Sequence, residues 1–210
     1  MATPHPSTKT THEILGHLHS VRSDALGRHF LGKNIGKHGY NLSDSALRHE
    51  LGLLQITVQG AVILDVMQIF ERDSQRHAQD SFSHAIACLP NSDKEWKGLR
   101  HAGRMHGLQC VAAVAVKAKL EKSIDRRRNR PSFKVLRTIR DQYLAHSQRN
   151  PKPFGTVTWN NILSLLRFAD ALQRYLALLV WDANLELGPW PNTTGHALAA
   201  LLKKQPKQKR

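Results

Sequence analysis

Residues Trp159 to Leu187 read WNNILSLLRFADALQRYLALLVWDANLEL. Apolar side chains recur at Ile162, Leu165, Leu166, Ala169, Leu172, Leu176 and Leu179, the three-and-four spacing that lines one face of an α-helix. Gly188, Pro189 and Pro191 follow and stop it. Working outward, the same period governs nearly every other segment, and no alternating run of strand type stands out.

Toward the N-terminus, Thr10-x-x-Glu13 has capping-box spacing ahead of Ile14, Leu15, Leu18 and Val21. Gly27, Gly32, Gly36 and Gly39 then predict a loop or a broken helix. Ser43 and Asp44 open a second long run through Leu47, Leu51, Leu54, Val58, Val62, Val66 and Ile69, ending near Phe70. Ser81 to Leu89 reads as a short helix stopped by Pro90. Asp93 starts another run that ends near Ile124, and Pro131 is well placed at the start of the helix carrying Val135, Leu136, Ile139 and Tyr143 to about His146. Asn150-Pro151-Lys152-Pro153 breaks that helix. The expected fold is an all-α bundle of about four long helices plus short ones. Its divisions are residues 1–42 (N-terminal helix and glycine-rich loop), 43–187 (bundle) and 188–210 (short helix and basic tail).

The chain has 210 residues, 31 Lys plus Arg against 16 Asp plus Glu, a net charge of +15 and a pI near 10.3. Such a balance favours a polyanionic partner, because each cation placed on a phosphate releases a condensed counterion. Hydrophobic residues at 40% exclude a disordered chain. The longest uncharged stretch, Leu51 to Leu64, falls short of the ~20 residues that cross a bilayer. No apolar secretory segment opens the chain, and Cys88 and Cys110 make no disulfide framework, so a soluble, cytoplasmic protein is expected.

Most routes to chemistry close quickly. Gly27 to Asn34, GRHFLGKN, approaches a P-loop, but Asn34 stands where magnesium needs a hydroxyl and the preceding residues read as helix. His17 and His19 point to different helical faces, as do His101 and His106. His77 and His84 share a face without a Cys or carboxylate at ligand spacing. No metal and no cofactor are expected. The two cysteines read as small core residues, and no serine-hydrolase elbow is present.

One segment is sharper: Arg140-Asp141-Gln142-Tyr143-Leu144-Ala145-His146. This R-x(5)-H run, within IRDQYLAHS (139–147), resembles the motif of the HEPN superfamily, and its local text is similar to the AbiU-like abortive-infection branch. The resemblance extends to ILDVMQIFERDS (63–74) and to the short helix after it, and covers roughly residues 45–185. It implies a HEPN-type helical bundle acting as a homodimer in which two motifs meet in one cleft. It further implies metal-independent ribonuclease chemistry in a toxin–antitoxin or phage-defence system, with RNA as substrate and an antitoxin protein as a further partner.

The residue types suit that chemistry. A His titrates near ~6.5 and moves protons near neutrality, while Arg stays charged and grips phosphate oxygens. As the resemblance implies, His146 deprotonates the 2′-hydroxyl, Arg140 stabilises the phosphorane, and Asp141 orients Arg140 or the partner's motif. On an α-helix the pair sits about 120° apart around the axis and about 9 Å apart along it, so one helix alone places them poorly around one phosphate. Arg126, Arg127, Arg128 and Arg130 are expected to track the RNA backbone beside the cleft. A bundle that binds RNA or protein without cutting remains the alternative. A DNA-binding regulator is disfavoured, because no helix-turn-helix stands out.

Overall fold

A computed structural model describes residues 10–39, 41–72, 80–90, 113–144 and 157–181. Among these there are six α-helices and no strand: α1 Thr11–Gly39, α2 Ser45–Ile69, α3 Phe82–Ala87, α4 Ala113–Arg128, α5 Pro131–Ile139 and α6 Trp159–Trp181. A π-helical turn, Arg140–Leu144, continues α5. The all-α expectation holds. The expected helix start near Asp93, Cys110, His146, the break at Asn150–Pro153, the last turns up to Leu187 and everything after them lie outside the described residues.

The helix starts follow local chemistry. The Thr10 N–H donates to the Glu13 carboxylate at 2.7 Å, and the Glu13 N–H donates to the Thr10 hydroxyl at 3.3 Å, a capping box closed in both directions. The Leu47 N–H donates to Asp44 at 3.1 Å and the His84 N–H to the Ser81 hydroxyl at 3.2 Å. Pro131 opens α5 directly after Arg130, whose backbone is extended. Thr158 and Asn161 cap α6 reciprocally, at 3.0 and 3.3 Å.

The glycine-rich segment corrects the sequence reading. Gly27 to Gly39 forms no loop; it is the second half of a 29-residue helix. A glycine inside a helix costs up to about 1 kcal/mol relative to alanine, and at Gly32 packing gives the reason for it. A Cβ there would stand 2.5 Å from the Trp159 ring, and one on Gly36 would overlap the Gln55 side-chain amide. The missing side chains let α1 lie close against α2 and the start of α6. Arg28 pairs with Asp65 of α2, and Arg22 pairs with Asp170 of α6. Gln173 of α6 donates to the Leu15 carbonyl at 3.1 Å.

One core joins all six helices, with Ile14, Leu18, Val62, Val66, Ile124, Leu136, Ile162 and Leu176 at or near zero exposure. Every residue of the predicted α6 stripe is buried. On α2, Leu51, Val58, Val62, Val66 and Ile69 are buried, but Leu54 is 43% exposed and faces out with Leu53, Ile56 and Leu64. By length and composition α2 is the one helix among the described residues able to cross a membrane, contrary to the sequence estimate. Here it is a core helix packed along α1 and carrying the ion-paired Asp65. Phe70, at the end of α2, is the aromatic hub of the core. It stacks on Phe168 at 5.9 Å and meets Phe133 edge-on at 6.1 Å and Phe82 at 6.0 Å.

Candidate functional site

The end of α2, the end of α4 and the π turn after α5 converge at one corner. Phe70 is anchored in the core, so Glu71 and Arg72 directly after it are held in fixed positions at the surface of the bundle. The clamp is Arg128. Only 7% exposed, its guanidinium donates to the Phe70 carbonyl at 2.6 Å, the Glu71 carbonyl at 2.5 Å and the Ser83 hydroxyl at 2.7 Å. Those carbonyls are freed where α2 ends, and a cation is the natural group to receive them. Asp125 lies 3.3 Å from Arg128 and 3.6 Å from Arg72. Burial pulls the Arg128 guanidinium below its ordinary value, against the pull of Asp125.

Arg140 sits at the start of the π turn and is half-buried. Its Nε donates to the Asp141 carboxylate at 2.7 Å, and an Nη donates to the Glu71 carboxylate. Burial works against the charge of Arg140, but the two carboxylates outweigh it and hold the guanidinium above its ordinary value. The site is therefore a fixed, permanently charged cation at a wide turn of the kind that recurs at functional sites. Asp141 is thus a direct partner of the Arg140 guanidinium. The structure brings Arg140 and Asp141 together with Glu71; His146 and the Tyr143 side chain lie outside the described residues.

The four arginines expected on the RNA path do not form one surface. They occupy the last turn of α4 and the residues just after it rather than a loop, and Arg128 is turned into the core, which removes it from that set. Arg126 and Arg130 are exposed. Arg127 takes a third position: its guanidinium lies 4.6 Å over the Phe168 ring. Burial and the neighbouring charge of Arg130 draw it below its ordinary value.

Sequence reasoning missed Glu71 as a partner of the motif. The signal was present, since Glu71 falls in FERD (70–73) immediately after the last apolar position of α2, where a carboxylate meets whatever closes the corner. One further expectation changes: Cys88, at the end of α3, is exposed. His29 is 1% exposed, between the rings of Phe30 and Trp159, with neither ring nitrogen hydrogen-bonded. Burial, helped by the charge of Lys33, lowers its pKa to about 4. Among the described residues no three His, Cys, Asp or Glu side chains converge as metal ligands do.

A family model described as AbiU2, of HEPN type, matches residues 12–193. The match extends past the 45–185 span of the resemblance to include α1. No curated protein and no solved structure matches the chain.

Proposed function

The chain belongs to the AbiU2 family of HEPN proteins, and from that membership we propose that it is a metal-independent endoribonuclease of a phage-defence or toxin–antitoxin system. The observation that carries the reading is the Arg140 network: a half-buried guanidinium, oriented by Asp141 and Glu71, at the start of the R-x(5)-H segment that resembles the HEPN motif. In this reading His146 takes the proton of a ribose 2′-hydroxyl, whose oxygen attacks the adjacent phosphorus. Negative charge grows on the phosphoryl oxygens as the pentacovalent phosphorane forms. Arg140, already positioned, stabilises that charge without reorganising at the moment of reaction. The His146 of a second copy protonates the leaving 5′-oxygen, and the products are a 2′,3′-cyclic phosphate and a 5′-hydroxyl.

The homodimer belongs to the same proposal. Leu53, Leu54, Ile56 and Leu64 leave an apolar face on α2, and a second copy is the occupant we assign to it, because the catalytic reading needs two motifs in one cleft. Arg126, Arg127 and Arg130 then serve the RNA backbone in the cytoplasm, and an antitoxin protein restrains the activity.

One observation favours a second reading. Arg140 already has two carboxylate partners, the arrangement of a structural ion-pair network, so a HEPN bundle that binds RNA or protein without cutting is the alternative. Incubation with total RNA and with tRNA in EDTA, beside the His146→Ala variant, separates the two. The ribonuclease gives cyclic-phosphate ends that disappear in the variant. Intact RNA with salt-sensitive retention by both proteins supports the binder.

A further inference from the structure

α4 and α6 run antiparallel, and an open groove follows the seam between them. Its first half, about 370 Å³, is lined by Arg127, Asn160, Ser164, Arg167 and Phe168, with Ala171 at the midpoint. Its second half, about 380 Å³, continues past Phe168 and Ala171 to Val116, Lys119, Leu120, Ser123, Leu172 and Tyr175. The small residues explain the gap: Ala171, Ser164 and Ser123 stand where larger side chains would interlock. Ser123 bonds back to its own helix at Lys119, 2.9 Å away, so the second half is walled mainly by carbon.

The first half has the opposite chemistry. Arg127 and Arg167 both face it, and no carboxylate among the described residues pairs with either. The acidic residues near the end of α4 are committed elsewhere: Asp125 to Arg128 and Arg72, Glu71 to Arg140. Nor is Arg127 a loose surface cation. It rests on Phe168, which is itself stacked on Phe70, so the charge is fixed by the core while its outer face stays open to the groove. The hydroxyl of Ser164 lies 3.5 Å away, and burial together with the charge of Arg130 draws the guanidinium below its ordinary value. Two arginines without a carboxylate partner at one end, Arg127 of them held by the core, and a mainly apolar trough at the other, each of ligand-pocket size, match a phosphate joined to a flat apolar ring.

We propose that the α4–α6 groove is a nucleotide-binding subsite for single-stranded RNA, with a backbone phosphate between Arg127 and Arg167 and a base in the trough beyond Phe168. From Val116 to Arg127 the groove runs about 16 Å along α4, room for a short run of nucleotides. The inference rests on the RNA reading above but not on cleavage, and it adds Arg167, Ala171 and the trough to the binding surface.

The probe is a fluorescent hexamer of 2′-O-methyluridine, which cannot be cut by 2′-hydroxyl attack, titrated at several salt concentrations. The Arg127→Gln, Arg167→Gln double variant is expected to lower the slope of log affinity against log salt by about 0.7, the value for one phosphate contact on a single strand. The charge-matched Lys33→Gln, Lys37→Gln variant on α1 leaves the slope near the wild-type value. Ala171→Phe fills the midpoint of the groove and weakens binding at least tenfold with the unfolding midpoint kept. Because Arg127 also packs on Phe168, Arg167→Gln alone, on an exposed side chain, reads part of the slope change in a protein whose fold is untouched. Equal slopes in the groove and control variants, or full binding by Ala171→Phe, overturn the groove. If cleavage persists in that case, the ribonuclease reading stands without it. A reduced slope in a protein that cuts no RNA supports the groove and counts against the ribonuclease.

Discussion

Two regions that adjoin at the end of α4 use the same side chain in opposite ways. At the corner, Arg128 and Arg140 are committed: the first to the carbonyls of Phe70 and Glu71, the second to the carboxylates of Glu71 and Asp141. In the groove, Arg127 and Arg167 face solvent-filled space with no carboxylate partner among the described residues. The difference teaches that an arginine-rich stretch has no single role. Successive residues on a helix point about 100° apart, so Arg127 and Arg128 are sent to the groove and to the core respectively. Which one meets an acceptor decides which one can meet a phosphate.

The largest expected effect breaks the committed side. Arg128→Ala leaves the Phe70 and Glu71 carbonyls buried without a donor and should cost about 3 kcal/mol or more, read by urea unfolding. Binding to the groove in the surviving folded fraction should change little. If the variant is as stable as wild type, the corner is not clamped by Arg128 and the comparison fails.

His29 extends the same principle to a buried group with no partner. Its folded pKa of about 4 lies below the unfolded value near 6.5. Between these values the unfolded chain binds more protons, so stability falls as the pH drops from about 6.5 toward 4. The full loss is about 3 kcal/mol, with a flat profile for this group above pH 6.5. His29→Leu should flatten the profile across that window; an unchanged profile would mean another group carries it.

The glycines of α1 sharpen the contrast between committed and open positions, with opposite signs in one helix. Gly32→Val drives a side chain into the Trp159 ring and should cost about 1–3 kcal/mol. Gly27→Ala meets nothing within 4 Å and should stabilise by about 0.5–1 kcal/mol, both read as thermal midpoints. The smallest effect on stability is expected from Glu71→Gln, below about 1 kcal/mol because the Arg140 pair is partly exposed. In the ribonuclease reading its cleavage rate should change more than its stability does. A loss confined to the thermal midpoint would favour the binder.

Much of this architecture was legible from period and caps. The α6 stripe, the Asp44 and Ser81 caps, the Thr10–Glu13 box and Pro131 at the start of α5 all depend on residues close in the chain. What was missed depends on residues far apart. Gly32 reads as a breaker until Trp159, 127 positions later, is seen to need its space. Arg128 reads as one of four arginines on an RNA path until the end of α2 presents its carbonyls. Leu54 keeps the period of the α2 stripe yet faces outward, because no element among the described residues buries that side. Of the candidate site, the Arg140–Asp141 pair was visible in the sequence, whereas Glu71, though placed at the end of the α2 stripe, became a partner of Arg140 only through tertiary contact.

The central claim is that the charge of Arg140 serves a reaction and not only the fold. Single-turnover cleavage of tRNA in EDTA by wild type, Arg140→Lys and Arg140→Ala, beside their thermal midpoints, tests it most directly. Arg140→Ala should lose about 10²–10³-fold in rate, the scale of removing one donor to a developing oxyanion. Arg140→Lys should be slowed to a lesser degree, and both midpoints should stay within a few degrees of wild type. Cleavage at the wild-type rate in Arg140→Ala, or a loss that merely follows unfolding, would contradict it.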